Sequence, residues 1–241
     1  MYDWQERTAI LLKDEQMNRL CGSTVAVMGL GGVGAYAAEM LVRAGVGRIV
    51  LLDSDCVSAS NKNRQLLALD STIGRPKTEV MSERLRDINP NLVQDVISEY
   101  LTEDNVADIL GSRHIDFLVD AIDTLGPKVA LIKWCVTNHI PLVSSMGSGA
   151  KSDMTKIRIA DISKSFNCPL ASMLRKRLRK ERISKGFQVV FSEELPERDA
   201  VIPMEDRNKK SQVGTISYLP ASFGCACAQA AVSYLITRLQ P

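Results

Sequence analysis

The chain has 241 residues, 45% of them hydrophobic, and a net charge of only +2. That length allows one large or two small domains with a full core, and near-neutrality excludes recruitment of nucleic acid by overall charge, so any such binding needs a local patch. Six cysteines without a C-x-x-C pair argue against a four-cysteine zinc site and a disulfide framework; with no signal peptide around Asp3, Glu6 and Arg7, they predict a reducing, cytoplasmic setting.

Residues 4–20 predict an amphipathic helical arm, with Ile10, Leu11, Met17 and Leu20 apolar and Arg7, Lys13, Asp14 and Arg19 polar. Such an arm can lie over a nucleotide or against a partner subunit. Val25-Ala26-Val27-Met28 then predicts a buried strand. Gly29, Gly31 and Gly34 fit G-x-G-x-x-G, with Gly32 as an extra, and a helix follows with Tyr36, Met40, Leu41 and Ala44 on its apolar side. This is the strand, glycine turn and helix of a nucleotide-binding unit, where glycines let backbone N–H groups and a helix N-terminus meet a phosphate. The next strand, Arg48–Leu52, is followed by Asp53, placed for ribose hydroxyls about twenty residues beyond the turn. The turn alone does not say which nucleotide.

Behind it stand Asp53-Ser54-Asp55 and Ser60-Asn61-Lys62-Asn63-Arg64-Gln65. A dehydrogenase needs only the first aspartate. Pro76 suits the first position of a helix whose face is Met81, Leu85 and Ile88. Lys77 then falls in the first turn, where a cation is disfavoured unless an anion is near. Taken singly, Arg64 and Lys77 are surface charges; as a pair beside a glycine turn they suit phosphates, and neither is expected in the core. A strand over 93–97 follows, then a helix over 102–110 with Thr102 as N-cap and Asn105 three residues on. A central strand over 115–123 puts Asp123 at its C-terminal end, where open α/β sheets bind ligands, and gives Asp120 a structural role. A helix over 128–138, a strand over 141–145, a flexible turn at Gly147-Ser148-Gly149 and an edge strand over 155–159 complete this part.

From Asn167 the character changes. Leu170, Met173, Leu174 and Leu178 are spaced as one helix face, and seven cations, Arg175 to Lys185, crowd into eleven residues. That density suits either a solvated face or a phosphate-tracking patch for RNA. A strand over 186–191 precedes a polar loop over 193–212 that contains Arg207-Asn208-Lys209-Lys210. Residues 215–236 are uncharged and long enough to cross a bilayer, but modest in hydrophobicity. A buried strand or loop to Pro220 and a core-facing helix from Ser222 are expected, with no stable membrane association. The pattern predicts an α/β, Rossmann-like, doubly wound and largely parallel sheet with an antiparallel C-terminal extension, in one domain over 1–241.

Gly29-x-Gly-Gly-x-Gly34, Asp53-x-Asp55, Asn61-x-x-Arg64-Gln65, Lys77 and Asp123 together resemble the ATP site of the ubiquitin-activating-enzyme-like adenylyltransferases. These include the activators of sulfur-carrier proteins for thiamine and molybdopterin. The resemblance covers about residues 4–165. The remainder, 166–241, resembles one branch, the tRNA threonylcarbamoyladenosine dehydratases, at Pro169-Leu170-Ala171, at Val190 through Pro196, and at Gly214-Thr215-Ile216 through Gly224. Cys168 departs from that branch, where an acidic residue is expected before Pro-Leu, and leaves open a thiol role beside a plain packing one.

The resemblance implies ATP-dependent activation of a carboxylate through an acyl-adenylate. It implies that Gly29, Gly31, Gly32, Gly34, Asp53, Asp55 and Asn61 bind ATP and that Arg64 and Lys77 neutralise its phosphates. It further implies that Asp123 holds Mg²⁺ and that Arg7 reaches a neighbouring subunit's ATP in a homodimer. Arg175, Lys176, Arg179 and Arg182 are expected to contact tRNA. Some relatives use sulfur-transfer proteins, which remain candidate partners. Three other readings stay open: an activator of a carrier protein's C-terminal glycine, an RNA-binding module with a degenerate pocket, and a nicotinamide dehydrogenase.

Overall fold

The computed structural model describes residues 3–203 and 211–237. Strands β1 (Thr24–Met28), β2 (Arg48–Leu52), β3 (Val93–Ile97), β4 (Phe117–Asp120), β5 (Leu142–Ser145), β6 (Ile157–Asp161) and β7 (Gln188–Ser192) form one sheet, in the order β3-β2-β1-β4-β5-β7-β6. Every pair is parallel except β6 with β7. A separate antiparallel ribbon joins β8 (Val201–Pro203) to β9 (Ser211–Val213). The expected doubly wound sheet with antiparallel additions is thus observed. Its strand order reverses between β1 and β4, which opens a crevice at their C-terminal ends.

Alternation along the central strands divides the core in two. Val25, Val27, Phe117, Val119 and Val190 face α1 (Glu6–Gly22), α2 (Gly34–Ala44), α3 (Lys77–Ile88) and α7 (Tyr218–Thr237). Ala26, Met28, Leu118, Val189 and Phe191 face α4 (Val106–Leu110), α5 (Leu125–Thr137) and α6 (Pro169–Lys180). A strand covered on both faces needs an unbroken apolar run, and β1 is buried at all five positions.

α7 is long and apolar enough to cross a membrane, but half of that span is buried, packed across α2 and the sheet. At the crossing, a Cβ on Gly224 would lie 2.5 Å from the Val33 carbonyl oxygen. The helix starts at Tyr218, four residues earlier than Ser222. Pro220 then falls in the first turn, where a missing N–H costs nothing. Because α2 packs against both the sheet and α7, Ala35, Ala37, Ala38, Leu41 and Val42 are all buried, whereas Tyr36, Met40 and Ala44 are only partly so.

Other elements move by a few residues for local reasons. α1 is kinked at Lys13 (φ 60°), so Met17 and Leu20 reach the core while Ile10 and Leu11 stay 76% and 77% exposed. The helix expected over 102–110 shrinks to α4. Asn105 Oδ1 accepts the Thr102 N–H (2.7 Å) and Thr102 Oγ1 accepts the Asn105 N–H (3.2 Å), which makes a turn before the helix. α5 begins at Leu125 with Pro127 in its first turn. β6 starts two residues late because Asp153 accepts the Thr155 N–H and holds residues 154–156 in a 3₁₀ turn. On α6, Ala171, Leu174 and Leu178 are buried but Met173 is exposed. The Arg207–Lys210 tract lies outside the described residues.

Candidate active site

The glycine turn forms the floor of the crevice. Gly29 has φ +89°, and a Cβ there would lie 3.0 Å from the Ala121 carbonyl oxygen. At Gly34 a Cβ would lie 1.7 Å from the Gly29 carbonyl oxygen, so any side chain would break the turn. No side chain caps the N-terminus of α2, which leaves its backbone N–H groups and dipole facing the crevice. The walls come from two other segments. Cβ positions on Gly31 and Gly32 would meet Gln65 Nε2 (3.8 Å), Arg64 Cγ (3.5 Å) and Pro220 Cβ (3.1 Å). The loop carrying Asn61, Arg64 and Gln65 and the start of α7 therefore both stand against the turn.

Charge is organised by Asp53. Its Oδ2 accepts the Leu30 N–H (2.6 Å) and its Oδ1 the Asp55 N–H (2.8 Å), which ties the glycine turn to the end of β2. Lys77 is only 5% exposed; its Nζ donates to Asp55 Oδ2 (2.8 Å) and lies 3.8 Å from Asp53 Oδ1. This corrects the expectation that Lys77 sits outside the core. Pro76 is the N-cap and Lys77 the first residue of α3, turned inward toward the two aspartates. Burial pushes the Asp53 carboxyl above its usual range, against the pull of Lys77.

Arg64 is partly buried, with Nη1 donating to Ser60 O (3.1 Å) and Asn63 Oδ1 (2.7 Å). Asn63 in turn donates from Nδ2 to Thr215 O (3.0 Å). Asn61 organises the loop: its Oδ1 accepts the Ser58 N–H (3.1 Å) and its carbonyl accepts the N–H groups of Arg64 and Gln65. Gln65 Oε1 is buried against the turn with no hydrogen-bond partner among the described residues.

Asp123 is exposed at the mouth of the crevice, three residues past the end of β4, and its Oδ1 accepts from Thr124 Oγ1 (3.3 Å). Beneath it Asp120 is fully buried. Its Oδ2 accepts from Lys128 Nζ (2.7 Å) and Ser144 Oγ (2.6 Å), and its Oδ1 accepts the Ile122 N–H (3.1 Å). Sequence reasoning gave Asp120 a structural role but missed Lys128 and Ser144. The available signal was a lysine on an apolar helix following an aspartate in an apolar strand, since neither charge is buried alone.

Arg7 is exposed on α1, before the Lys13 kink. On α6, Lys176, Arg177, Arg179 and Lys180 are exposed, as is Arg182 beyond its end. Arg175 differs: it is partly buried and donates to the carbonyl oxygen and hydroxyl of Ser165. α6 starts at the C-terminal end of the sheet, with the Cys168 Sγ 3.6 Å from a Cβ position on Gly147. Cys168 is buried there, close to Lys151, whose Nζ donates to Asn167 O (3.1 Å) and Ser192 O (2.9 Å). Burial pushes the Lys151 amine below its usual range.

Glycines thus floor the crevice, and Asp53, Asp55, Lys77 and Arg64 stand around it. The chain belongs to the ThiF family, whose sequence model matches residues 3–241. It is 45% identical over 204 residues to the tRNA threonylcarbamoyladenosine dehydratase of Bacillus subtilis, covering 85% of this chain and 78% of that protein. To the enzyme of the same name from Escherichia coli it is 40% identical over 212 residues, covering 83% and 79%. The solved structure of the Escherichia coli tRNA N6-threonylcarbamoyladenosine dehydratase in complex with ATP superposes with a TM-score of 0.88 at 36% identity, covering 98% of this chain and 96% of that one. A complex of the same enzyme with AMP gives 0.87.

Proposed function

We propose that this chain uses ATP to dehydrate threonylcarbamoyladenosine in tRNA, closing it to a cyclic product. The carboxylate of the threonyl group attacks the α-phosphorus of ATP. The bond to the β-phosphate bridging oxygen breaks, pyrophosphate leaves and a carboxyl-adenylate forms. The urea group of the same modification then attacks the activated carbonyl, loses a proton and expels AMP. No enzyme nucleophile is needed, because the attacking group is already tethered to its target.

The chain's residues fit these steps. The N–H groups of Gly31 to Gly34 and the α2 N-terminus suit phosphate oxygens. Asp53 keeps acceptor capacity for ribose hydroxyls while it pins Leu30. Asp55 holds Lys77, and Asn61 shapes the loop that presents Arg64. Lys77 and Arg64 offset charge that builds on the α-phosphate and on leaving pyrophosphate. Asp123, a carboxylate at the open mouth, would hold Mg²⁺ together with phosphate oxygens, where the ion supplies charge neutralisation. The protein acts as a cytoplasmic homodimer in which Arg7 serves the neighbouring site, and the exposed Ile10 and Leu11 beside it suit a subunit contact. Lys176, Arg179 and Arg182 hold tRNA phosphates, with Arg175 bracing the helix that carries them.

The observation that carries this reading is the paired Asp53–Lys77–Asp55 set beside Arg64, in a chain so similar to named dehydratases. The test is ATP–pyrophosphate exchange with tRNA bearing the modification, with unmodified tRNA, or with a sulfur-carrier protein. Exchange is expected only with the modified tRNA; exchange driven by the carrier protein would move the chain to that other activity. ATP with Mg²⁺ should also raise the melting temperature where NAD does not.

A further inference from the structure

The Asp120, Lys128 and Ser144 cluster lies outside the set of residues proposed above to meet the nucleotide, and it is closed to solvent. It joins the ends of two central strands, β4 and β5, to the first turns of α5. The loop it braces, residues 121–124, has two jobs. Its Ala121 carbonyl oxygen stands 3.0 Å from the Cβ position of Gly29, and the Ala121 Cβ stands 3.1 Å from that of Gly34, so the loop backs the glycine turn. It also carries Asp123. Two bonds tie the loop to the cluster: the Ile122 N–H donates to Asp120 Oδ1 (3.1 Å) and the Lys128 N–H donates to the Thr124 carbonyl oxygen (3.2 Å). A salt bridge replaced by apolar residues would fill this space at least as well, so stability alone does not explain why charge is buried here. An ion pair with a third hydrogen bond does what apolar packing cannot: it fixes the direction of a carboxylate and of the peptide attached to it.

We propose that Asp120, Lys128 and Ser144 are positioning residues of the adenylation step, a buried strut that sets Asp123 and the Ala121–Ile122 peptide against the glycine turn. The inference rests on the function proposed above. Its test therefore includes a readout independent of activity.

Ser144→Ala removes one hydrogen bond without stranding a charge, whereas Ser144→Thr keeps the hydroxyl. In Ser144→Ala the exchange kcat should fall about fivefold, the equivalent of one lost hydrogen bond, with the KM for ATP nearly unchanged and more Mg²⁺ needed for half-maximal rate. Amide hydrogen exchange should quicken at residues 121–124 and not elsewhere, and Ser144→Thr should restore both properties. Asp120→Asn and Lys128→Met should act in the same direction more strongly where they fold. Unchanged local exchange together with unchanged kcat and Mg²⁺ dependence in Ser144→Ala would overturn the strut. So would a general loss of melting temperature with normal kcat per folded molecule. If the parent protein shows no ATP–pyrophosphate exchange with any substrate, the proposed function fails while amide exchange still decides the strut.

Discussion

The two densest groups of charge in this chain are built in opposite ways. At the crevice the side chains of Lys77 and Asp53 are 6% and 9% exposed and lie 3.8 Å apart, and beneath it Asp120 and Lys128, closed to solvent, lie 2.7 Å apart. On α6 the cations of Lys176, Arg177, Arg179 and Lys180 stand exposed along one face, and Arg182 follows. Buried pairs hold their geometry over a wide range of salt concentration, because water and ions screen them far less than exposed charges. An exposed row has no fixed geometry of its own and gains its meaning from a polyanion that displaces counterions. The first arrangement suits chemistry at one phosphorus atom, and the second suits holding a long, repetitive backbone.

The largest expected effect tests the crevice. Arg64→Ala and Lys77→Ala should each lower exchange by a factor on the order of 10²–10³, as loss of one preorganised donor does. The two should differ in stability. Lys77→Ala removes the buried cation that pairs with the largely covered Asp53 and the exposed Asp55 and should lower the melting temperature, whereas Arg64→Ala should not. Equal melting temperatures would remove the distinction between interlocked and solvated charge.

Complementation comes next. Arg7→Ala and Asp123→Ala proteins should each be nearly inactive, and mixed dimers should regain one working site. Inactive mixed dimers, verified as mixed, would place Arg7 outside the neighbouring site.

A moderate effect is expected on α6. The Lys176→Ala, Arg179→Ala, Arg182→Ala triple variant should weaken all tRNAs alike and flatten the log–log salt dependence by about 0.7–0.9 per lost contact. ATP affinity should not change. Arg175→Ala should behave differently, by lowering the melting temperature more than the salt slope, since its guanidinium holds Ser165. A triple variant with unaltered tRNA affinity would reduce the row to a solvated face.

The smallest effect is on acid stability. Burial raises the Glu39 carboxyl pKa, but hydrogen bonds from Arg84 and Arg43 outweigh it and hold the group below its ordinary value of 4.5. A depressed folded pKa means the contribution is full above 4.5 and is lost as pH falls through the lower folded value. Glu39→Gln should therefore lose less stability than the parent on the acid limb of a melting-temperature profile. Parallel acid limbs would show that the pair between α2 and α3 contributes nothing.

Much of this was legible in the sequence for a local reason. A glycine turn between an apolar strand and a helix is specified by residues close together in the chain, since Gly29 and Gly34 must lack a Cβ whatever surrounds them. The same holds for β1, whose unbroken apolar run already says that both its faces are covered. Asp53, Arg64, Lys77 and Asp123 could be picked out because each stands near the glycine turn or a strand end, and because the set resembles the ATP site of a known family.

Tertiary structure decided what depends on neighbours distant in sequence. Whether Lys77 faced water or the core turned on two aspartates on the far side of a loop. Arg175 left the basic row because Ser165 lies within its reach, and Lys128 and Ser144 gained a role only when β4, β5 and α5 came together around Asp120. Ile10 and Leu11 ended in solvent because one kink at Lys13 turned their half of the helix away from the core. Periodicity states which side of an element is apolar, but a side chain's partner is set by whichever elements pack against it, and that is a property of the fold alone.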